Sequence, residues 1–325
     1  MKKYGKHITL KTLGIIVLML SVILRGCGQK EANIPKDPVP VTEYTKDLSL
    51  DETTVETVAD SQDEKQEKNR VIALSKSNAE LWILAGGELI ATSDDALEIE
   101  GLNEDVENLG DMDHVSLEVV AALEPDLVIC FSTDPAQKAL GESLESIGIE
   151  VLYTNIDNFD DYAEVMKELT SYTKREDLYK SNVEDVREKI DEVISRVEKD
   201  GEEKTYLLLH ASATKIKAEK NDYFASEIFN NLGLKNIADD NSALNDLSLE
   251  AIVSANPDYI FVVPRGSEEK AIASFEESFS SLPAWSTLDA VKNSRFYILS
   301  KDRFGLKPNA AWGEVYEEAY NLLYQ

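Results

Sequence analysis

The sequence predicts an α/β protein of two similar lobes with mainly parallel sheets, joined by one long rigid α-helix. Three observations carry that prediction. From residue 70 onward, short apolar runs alternate with amphipathic stretches, as in parallel sheets covered by helices. One segment occurs twice, 132 residues apart. Between the copies lies Lys174 to Asp200, a stretch without Gly or Pro. At 325 residues the chain is long for one ordinary domain and suits two.

Taken in order, residues 1–26 read as a signal peptide. Lys2, Lys3, Lys6 and Lys11 precede the apolar run Leu13 to Leu24, and no acid occurs before residue 31. The run is 12 residues long, whereas a spanning helix needs about 20. Leu24-Arg25-Gly26-Cys27 resembles a bacterial lipobox, which implies lipidation of Cys27 and attachment to the membrane through two acyl chains. Residues 27–69 then form a lipidated Cys and a disordered acidic tether. Residues 28–69 hold 11 acids, 5 bases and three prolines, with few apolar groups to offset ordering entropy. An N-terminal lobe is expected over 70–172, a linker helix over 173–200, and a C-terminal lobe over 201–325.

Strands are predicted at 71–74, 127–131, 149–153, 205–209, 259–263 and 296–299. Helices are predicted at 78–85, 136–147, 160–171, 224–232, 269–280 and 310–323. The repeat ties the lobes together. Ser116-Leu117-Glu118 leads through Pro125-Asp126 into Leu127-Val128-Ile129; Ser248-Leu249-Glu250 leads through Pro257-Asp258 into Tyr259-Ile260-Phe261. In each copy the Ser suits a helix N-cap, the Glu suits the positive end of the helix dipole, and the Pro stops the helix before a buried strand. In the linker, Val183, Val186, Ile190, Val193 and Val197 make one apolar stripe. It lasts about two heptads, short of a coiled-coil seam. A strut between lobes of a monomer is the expected arrangement.

Charge and composition narrow the function. The 62 acids against 33 bases give a net charge of −29, which disfavours nucleic acid because phosphate contacts need clustered Lys and Arg. Two cysteines make no disulfide scaffold, and Cys130, inside an apolar strand, should be a buried, inert thiol. No GxSxG, P-loop, GxGxxG or HExxH segment occurs, so the chain is not expected to be an enzyme.

These features together resemble the substrate-binding lipoproteins of ABC importers for haem, ferric siderophores and cobalamin, the periplasmic binding proteins of class III with a helical backbone. The two Ser-Leu-Glu…Pro-Asp segments carry the resemblance, together with the stretch from Trp285 to Tyr297, and it covers about 70–325. It implies an extracytoplasmic protein with no cofactor of its own. Its partners would be a permease dimer with its ATPase, and Glu118 and Glu250 would dock onto the permease. One continuous helix between the lobes also predicts restricted closure rather than a wide hinge swing.

Ligands of α/β lobes lie beyond the carboxyl ends of the strands. The loops there are Ser75–Asn78, Asp111–His114, Ser132–Asp134, His210–Ala213, Arg265–Ser267 and Arg303–Pro308. Met112 and His114 are residue types that ligate haem iron. His114 lies where the haem-binding branch places an axial ligand, whereas Arg265 replaces that branch's second one. Arg265 and Arg303 suit carboxylates or a catecholate, because guanidinium donates in a planar fork. Tyr223 and Phe304, at loop edges, suit flat apolar walls; Trp82 and Trp312 lie within helical patterns and suit the core. His210 ends a strand at a cleft position. The ligand readings are haem, a ferric siderophore or cobalamin. A zinc or manganese carrier would have only His114 and His210 as imidazole ligands after the signal, and a surface sensor could use the same fold without transport.

Overall fold

The first lobe is built outward from one short strand that is inaccessible on both faces. The computed structural model describes residues 66–197 and 203–324. The signal peptide, Cys27 and most of the tether lie outside them. Strand β1 (Val71–Ala73) has no exposed residue. It is flanked by β2 (Leu89–Thr92) with β3 (Glu107–Asn108) on one side and by β4 (Leu127–Phe131) with β5 (Val151–Thr154) on the other, all parallel. Such a sheet needs cover on both faces. Val71, Ala73, Leu127 and Ile129 pack into one core with α1 (Lys76–Leu84). Ile72, Leu74, Val128 and Cys130 pack into another with α2 (Leu117–Ala122) and α3 (Pro135–Ser146). Helix α4 (Phe159–Thr173) closes the first face with Phe159, Tyr162, Ala163, Met166, Leu169 and Thr170, a stripe at 3.6-residue spacing.

The predicted linker over 173–200 is shorter than its composition suggests. Helix α4 runs to Thr173, and Lys174 stops it in the left-handed region at φ 58°, without a glycine. A new helix starts at α5 (Glu176–Tyr179), passes through a π-turn at Lys180–Glu184 and ends as α6 (Asp185–Ser195). These 20 residues span roughly 30 Å. Val183, Ile190 and Val193 of the predicted stripe are buried, and Val186 and Val197 pack beside them.

The second lobe repeats the plan around β6 (Lys204–Ala211). One edge of β6 pairs in parallel with β9 (Tyr259–Pro264), which pairs with β10 (Phe296–Ile298). The other edge is shared: Ile216–Ala218, strand β7, runs antiparallel to its end, and Leu234–Asn236, strand β8, runs parallel to its start. Tyr206 and Leu208 face α7 (Phe224–Asn231), while Leu207 and Leu209 share a core with Ile252 of α8 (Leu249–Ala255), Phe275 of α9 (Glu268–Phe275) and Ala290 of α10 (Asp289–Lys292). After α11 (Lys301–Phe304), helix α12 (Trp312–Tyr324) buries Trp312, Val315, Tyr316 and Ala319 against the same core as α4 and α6. One core therefore runs through both lobes.

The repeat proves to be more detailed than its sequence signature. Ser116 and Ser248 cap α2 and α8, their Oγ atoms accepting from Val119 and Ala251 N–H. Glu124 and Asn256, each just before the repeated Pro, both have positive φ, 47° and 39°. The repeated Asp then ties down the central strand of its lobe. Asp126 accepts from the N–H groups of Asn69 and Arg70 at 3.2 and 3.0 Å. Asp258 accepts from the N–H and hydroxyl of Thr205 at 2.9 and 3.0 Å.

Candidate functional site

The turns after β1, β4 and β9 converge with the loop between α11 and α12 on a cavity of about 650 Å³. Its wall comes from both lobes. Ser75, Lys76, Ser77 and Glu80 arrive at the start of α1, Phe131 at the end of β4, Tyr223 and Phe224 at the start of α7, and Arg265 just beyond β9. Asp302, Arg303 and Gly305 to Pro308 close the far side, and Ala311 and Val315 of the C-terminal region form part of the floor. Two helices, α1 and α7, begin at this wall, so their positive dipole ends lie beside it.

Of the predicted site residues, Met112, Tyr223, Arg265 and Arg303 are in the wall, and the other three ligand candidates are not. His114 is a surface residue, its side chain 80% exposed with Nδ1 3.4 Å from Asp111. His210 is buried, its Nδ1 2.9 Å from Glu219 Oε1, and its ring packs behind Tyr223 at 5.6 Å. Phe304 is the clearest correction: its ring is fully buried and stacks on Phe229 at 5.9 Å. The one-turn helix α11 rotates it into the core while Arg303 on its flank meets the cavity. Trp82 and Trp312 are buried, as their helical spacing predicts.

Sequence reasoning missed Lys76, Glu80, Asp95, Asp302 and Lys307 as individual wall residues. Lys76 and Lys307 lie in loops already marked by strand-end topology; Glu80 is found one helical turn after Lys76, on the same side of α1. Glu80 bridges the lobes, accepting from Asn309 Nδ2 at 2.9 Å, and burial raises its carboxyl pKa against the pull of Lys76 and Asn309. Asn309 holds this contact at φ 51°. Lys307 donates to the Ile156 carbonyl and lies 3.5 Å from Asp157, with burial lowering its amine pKa. A third link joins the Phe159 N–H to Glu227 Oε2 at 3.1 Å.

Behind the wall, burial opposes ionisation of Glu219, but His210 and Lys217 together hold its carboxyl below the usual range. Burial and the nearby Glu219 push the Tyr223 phenol up, and Arg265 pulls the other way. The Tyr223 hydroxyl donates to the Phe304 carbonyl at 2.6 Å. Away from the cavity, Glu118 and Glu250 are exposed in the first turns of α2 and α8. The Ser116 hydroxyl donates to Glu118 at 2.7 Å and holds its carboxyl low. Among the described residues, no three His, Cys, Asp or Glu side chains are placed to hold a metal ion, and no helix is long and apolar enough to cross a membrane.

The sequence matches the family described as periplasmic binding protein over residues 71–303. It is 29% identical over 303 residues to the ABC transporter substrate-binding lipoprotein YvrC of Bacillus subtilis (strain 168), with 88% of each chain covered. It is 25% identical to the Fe(3+)-citrate-binding protein YfmC of the same strain, across 68% of this chain and 70% of that one. The structure of Staphylococcus aureus IsdE complexed with heme matches with a TM-score of 0.66 at 17% identity, covering 79% of this chain and 99% of that one. That last likeness is one of fold.

Proposed function

The chain belongs to the periplasmic binding protein family, and on that premise we propose that it is an extracytoplasmic solute-binding protein of an ABC importer. It captures an iron chelate, such as a ferric siderophore or haem, or cobalamin between its lobes and delivers it to a permease with its ATPase. The observation that carries this is the cavity of about 650 Å³ at the strand ends of both lobes, a size suited to one small-molecule ligand. The zinc or manganese alternative finds no ligand cluster among the described residues. Titration of the protein with haem, cyanocobalamin and ferric chelates, followed by tryptophan fluorescence, tests the reading. Saturable binding of at least one supports it, and failure to bind any removes it.

Docking on the permease is assigned to Glu118 and Glu250. Matched capping Ser residues and exposed first-turn carboxylates in both lobes support this role. Replacing both, Glu118→Lys with Glu250→Lys, should abolish uptake in cells while ligand affinity stays unchanged; a loss of affinity instead would refute the docking role. Anchorage through Cys27 is likewise part of the proposal, supported by the lipobox-like sequence and by a relative named a lipoprotein. Mass spectrometry of the mature N-terminus would show a diacylated Cys27, and cleavage elsewhere would overturn it. The protein is proposed to act as a monomer.

A further inference from the structure

The solute-binding reading admits several ligand chemistries, and the cavity wall distinguishes among them. In a chain with 62 acids and 33 bases, the wall carries four cations, Lys76, Arg265, Arg303 and Lys307, against three acids. Two of the acids are already engaged. Asp95 accepts the Lys76 backbone N–H at 3.1 Å, and Glu80 accepts from Asn309. Three of the cations are engaged as well: Lys76 with Glu80 at 4.0 Å, Lys307 with Ile156 and Asp157, and Arg303 with Glu314 at 3.0 Å.

Arg265 differs from these. Its backbone N–H is fixed to the Ala211 carbonyl at 2.7 Å, at the end of β9. Its exposed guanidinium has no hydrogen bond or ion pair among the described residues, yet it borders the cavity beside Tyr223. A free guanidinium offers two parallel N–H donors, the geometry that matches a carboxylate. The adjoining start of α7 adds positive potential as well, whereas the start of α1 already meets Asp95 through the Lys76 N–H.

The wall is also poor in groups that could bind iron directly. It contains no His and no Cys, and its carboxylates Glu80, Asp95 and Asp302 belong to no group of three His, Cys, Asp or Glu among the described residues that is placed to hold a metal ion. The Tyr223 hydroxyl donates its proton to the Phe304 carbonyl. Iron in this cavity must therefore arrive with its coordination sphere already filled by the chelator. One uncommitted guanidinium also suits a ligand with a local carboxylate better than a trianionic tris-catecholate, whose charge would need several free cations.

We propose that the cavity takes a ferric polycarboxylate chelate, coordinatively complete, with a free carboxylate held by the Arg265 fork. The inference rests on the solute-binding reading, and its test separates the two. The purified protein is titrated calorimetrically with four probes: ferric citrate in excess citrate, a neutral ferric trishydroxamate, haem and cyanocobalamin. Ferric citrate should bind most tightly. Arg265→Gln should weaken it roughly tenfold or more, and Arg265→Lys, which keeps charge but loses the fork, should recover only part of that. Thermal melting of both variants should match the wild type, because the side chain is exposed. Tighter binding of any other probe, or equal ferric citrate affinity in Arg265→Gln, overturns the carboxylate assignment and leaves the importer reading standing. No binding of any of the four overturns the importer reading and the assignment with it.

Discussion

Replacing Phe304 with Ala separates a structural role from a ligand-binding one, because the two make opposite forecasts. The ring is fully buried and ends a series of stacked aromatics: Phe304 on Phe229 at 5.9 Å, Phe229 on Phe261 at 4.0 Å, and Phe261 on Tyr297 at 5.8 Å. Truncating a buried Phe to Ala costs about 3–5 kcal/mol, from lost transfer free energy plus the cavity left behind. The site is at the end of the series, and beside it even a Cβ added at Gly305 would meet the Lys301 carbonyl oxygen at 2.7 Å and Val263 at 3.1 Å, so the neighbouring backbone has little room to shift. Collapse into the void is therefore limited, which places the cost near 4 kcal/mol. For a folded unit of this size that corresponds to a fall in Tm of about 8–16 °C. The Tyr223 hydrogen bond is to the Phe304 backbone carbonyl and survives the substitution, so ligand affinity measured well below the midpoint should stay within about threefold, a change of less than 1 kcal/mol. Urea unfolding followed by circular dichroism gives the stability, and titration at low temperature gives the affinity. A variant within about 1 kcal/mol of wild-type stability that has lost ligand binding would show that the ring is a cavity wall and that the burial argument is wrong.

Two further substitutions test the electrostatic account. Glu80 has a carboxyl pKa raised above its ordinary 4.5 by burial, so the native state holds this proton more tightly than the unfolded chain does. Its stabilising effect is complete below 4.5 and is lost as pH rises through the folded value; Glu80→Gln keeps an acceptor for Asn309, removes that loss, and should be at least as stable as wild type at pH 7 by urea titration, a lower midpoint being the contrary result. Asp258 behaves in the opposite sense: although burial opposes its ionisation, Thr205, Lys204 and Arg295 together hold its carboxyl below the ordinary 3.8. Its stability is present above that value and lost as pH falls through the folded one, so Asp258→Ala should cost roughly 1–3 kcal/mol at pH 7 and progressively less in acid, and a cost that does not change with pH contradicts the pairing with Thr205.

How far the sequence reached can be judged from particular residues. Strands β1, β4, β5, β6, β9 and β10 all overlap predicted runs; β1, β4, β6 and β9 are central and apolar on both faces, while the edge strands β5 and β10 are short apolar runs. The strands that escaped have weaker signals. Glu107–Asn108 is a two-residue exposed edge, β7 and β8 contain three residues each, and Leu89–Thr92 runs straight into Ser93 and two aspartates. The linker was misjudged at its start for a different reason: Lys174 takes a left-handed conformation that composition does not mark. At the site, four of the six loops named from strand-end topology contribute to the cavity wall, with Met112, Arg265 and Arg303 among their residues, and Tyr223, named as a flat wall at a loop edge, joins them. Topology could not say which way a side chain turns within a loop. His114 points to solvent, His210 turns inward to Glu219, and α11 is a single turn, too short for periodicity to reveal that Phe304 faces the core.

The cavity and the junction between the lobes are built from the same residues, and this has a mechanical consequence. Glu80 and Lys307 line the wall, and each also bridges to the opposite lobe, through Asn309 and through Ile156 with Asp157. Beside them Trp312 packs edge-on against Phe159 of one lobe and Phe224 of the other, at 5.9 and 5.8 Å. A wide hinge opening would break both polar bridges, the link from Phe159 to Glu227, and these aromatic contacts together, in addition to shearing the core shared by α4, α6 and α12. Packed cores of this kind resist continuous deformation. The expected movement is therefore a small rotation rather than a wide swing. Because Glu80 and Lys307 belong to both systems, a ligand that draws either charge toward itself weakens a bridge, and by reciprocity loss of that bridge changes ligand affinity by the same factor, so affinity and lobe separation are thermodynamically linked.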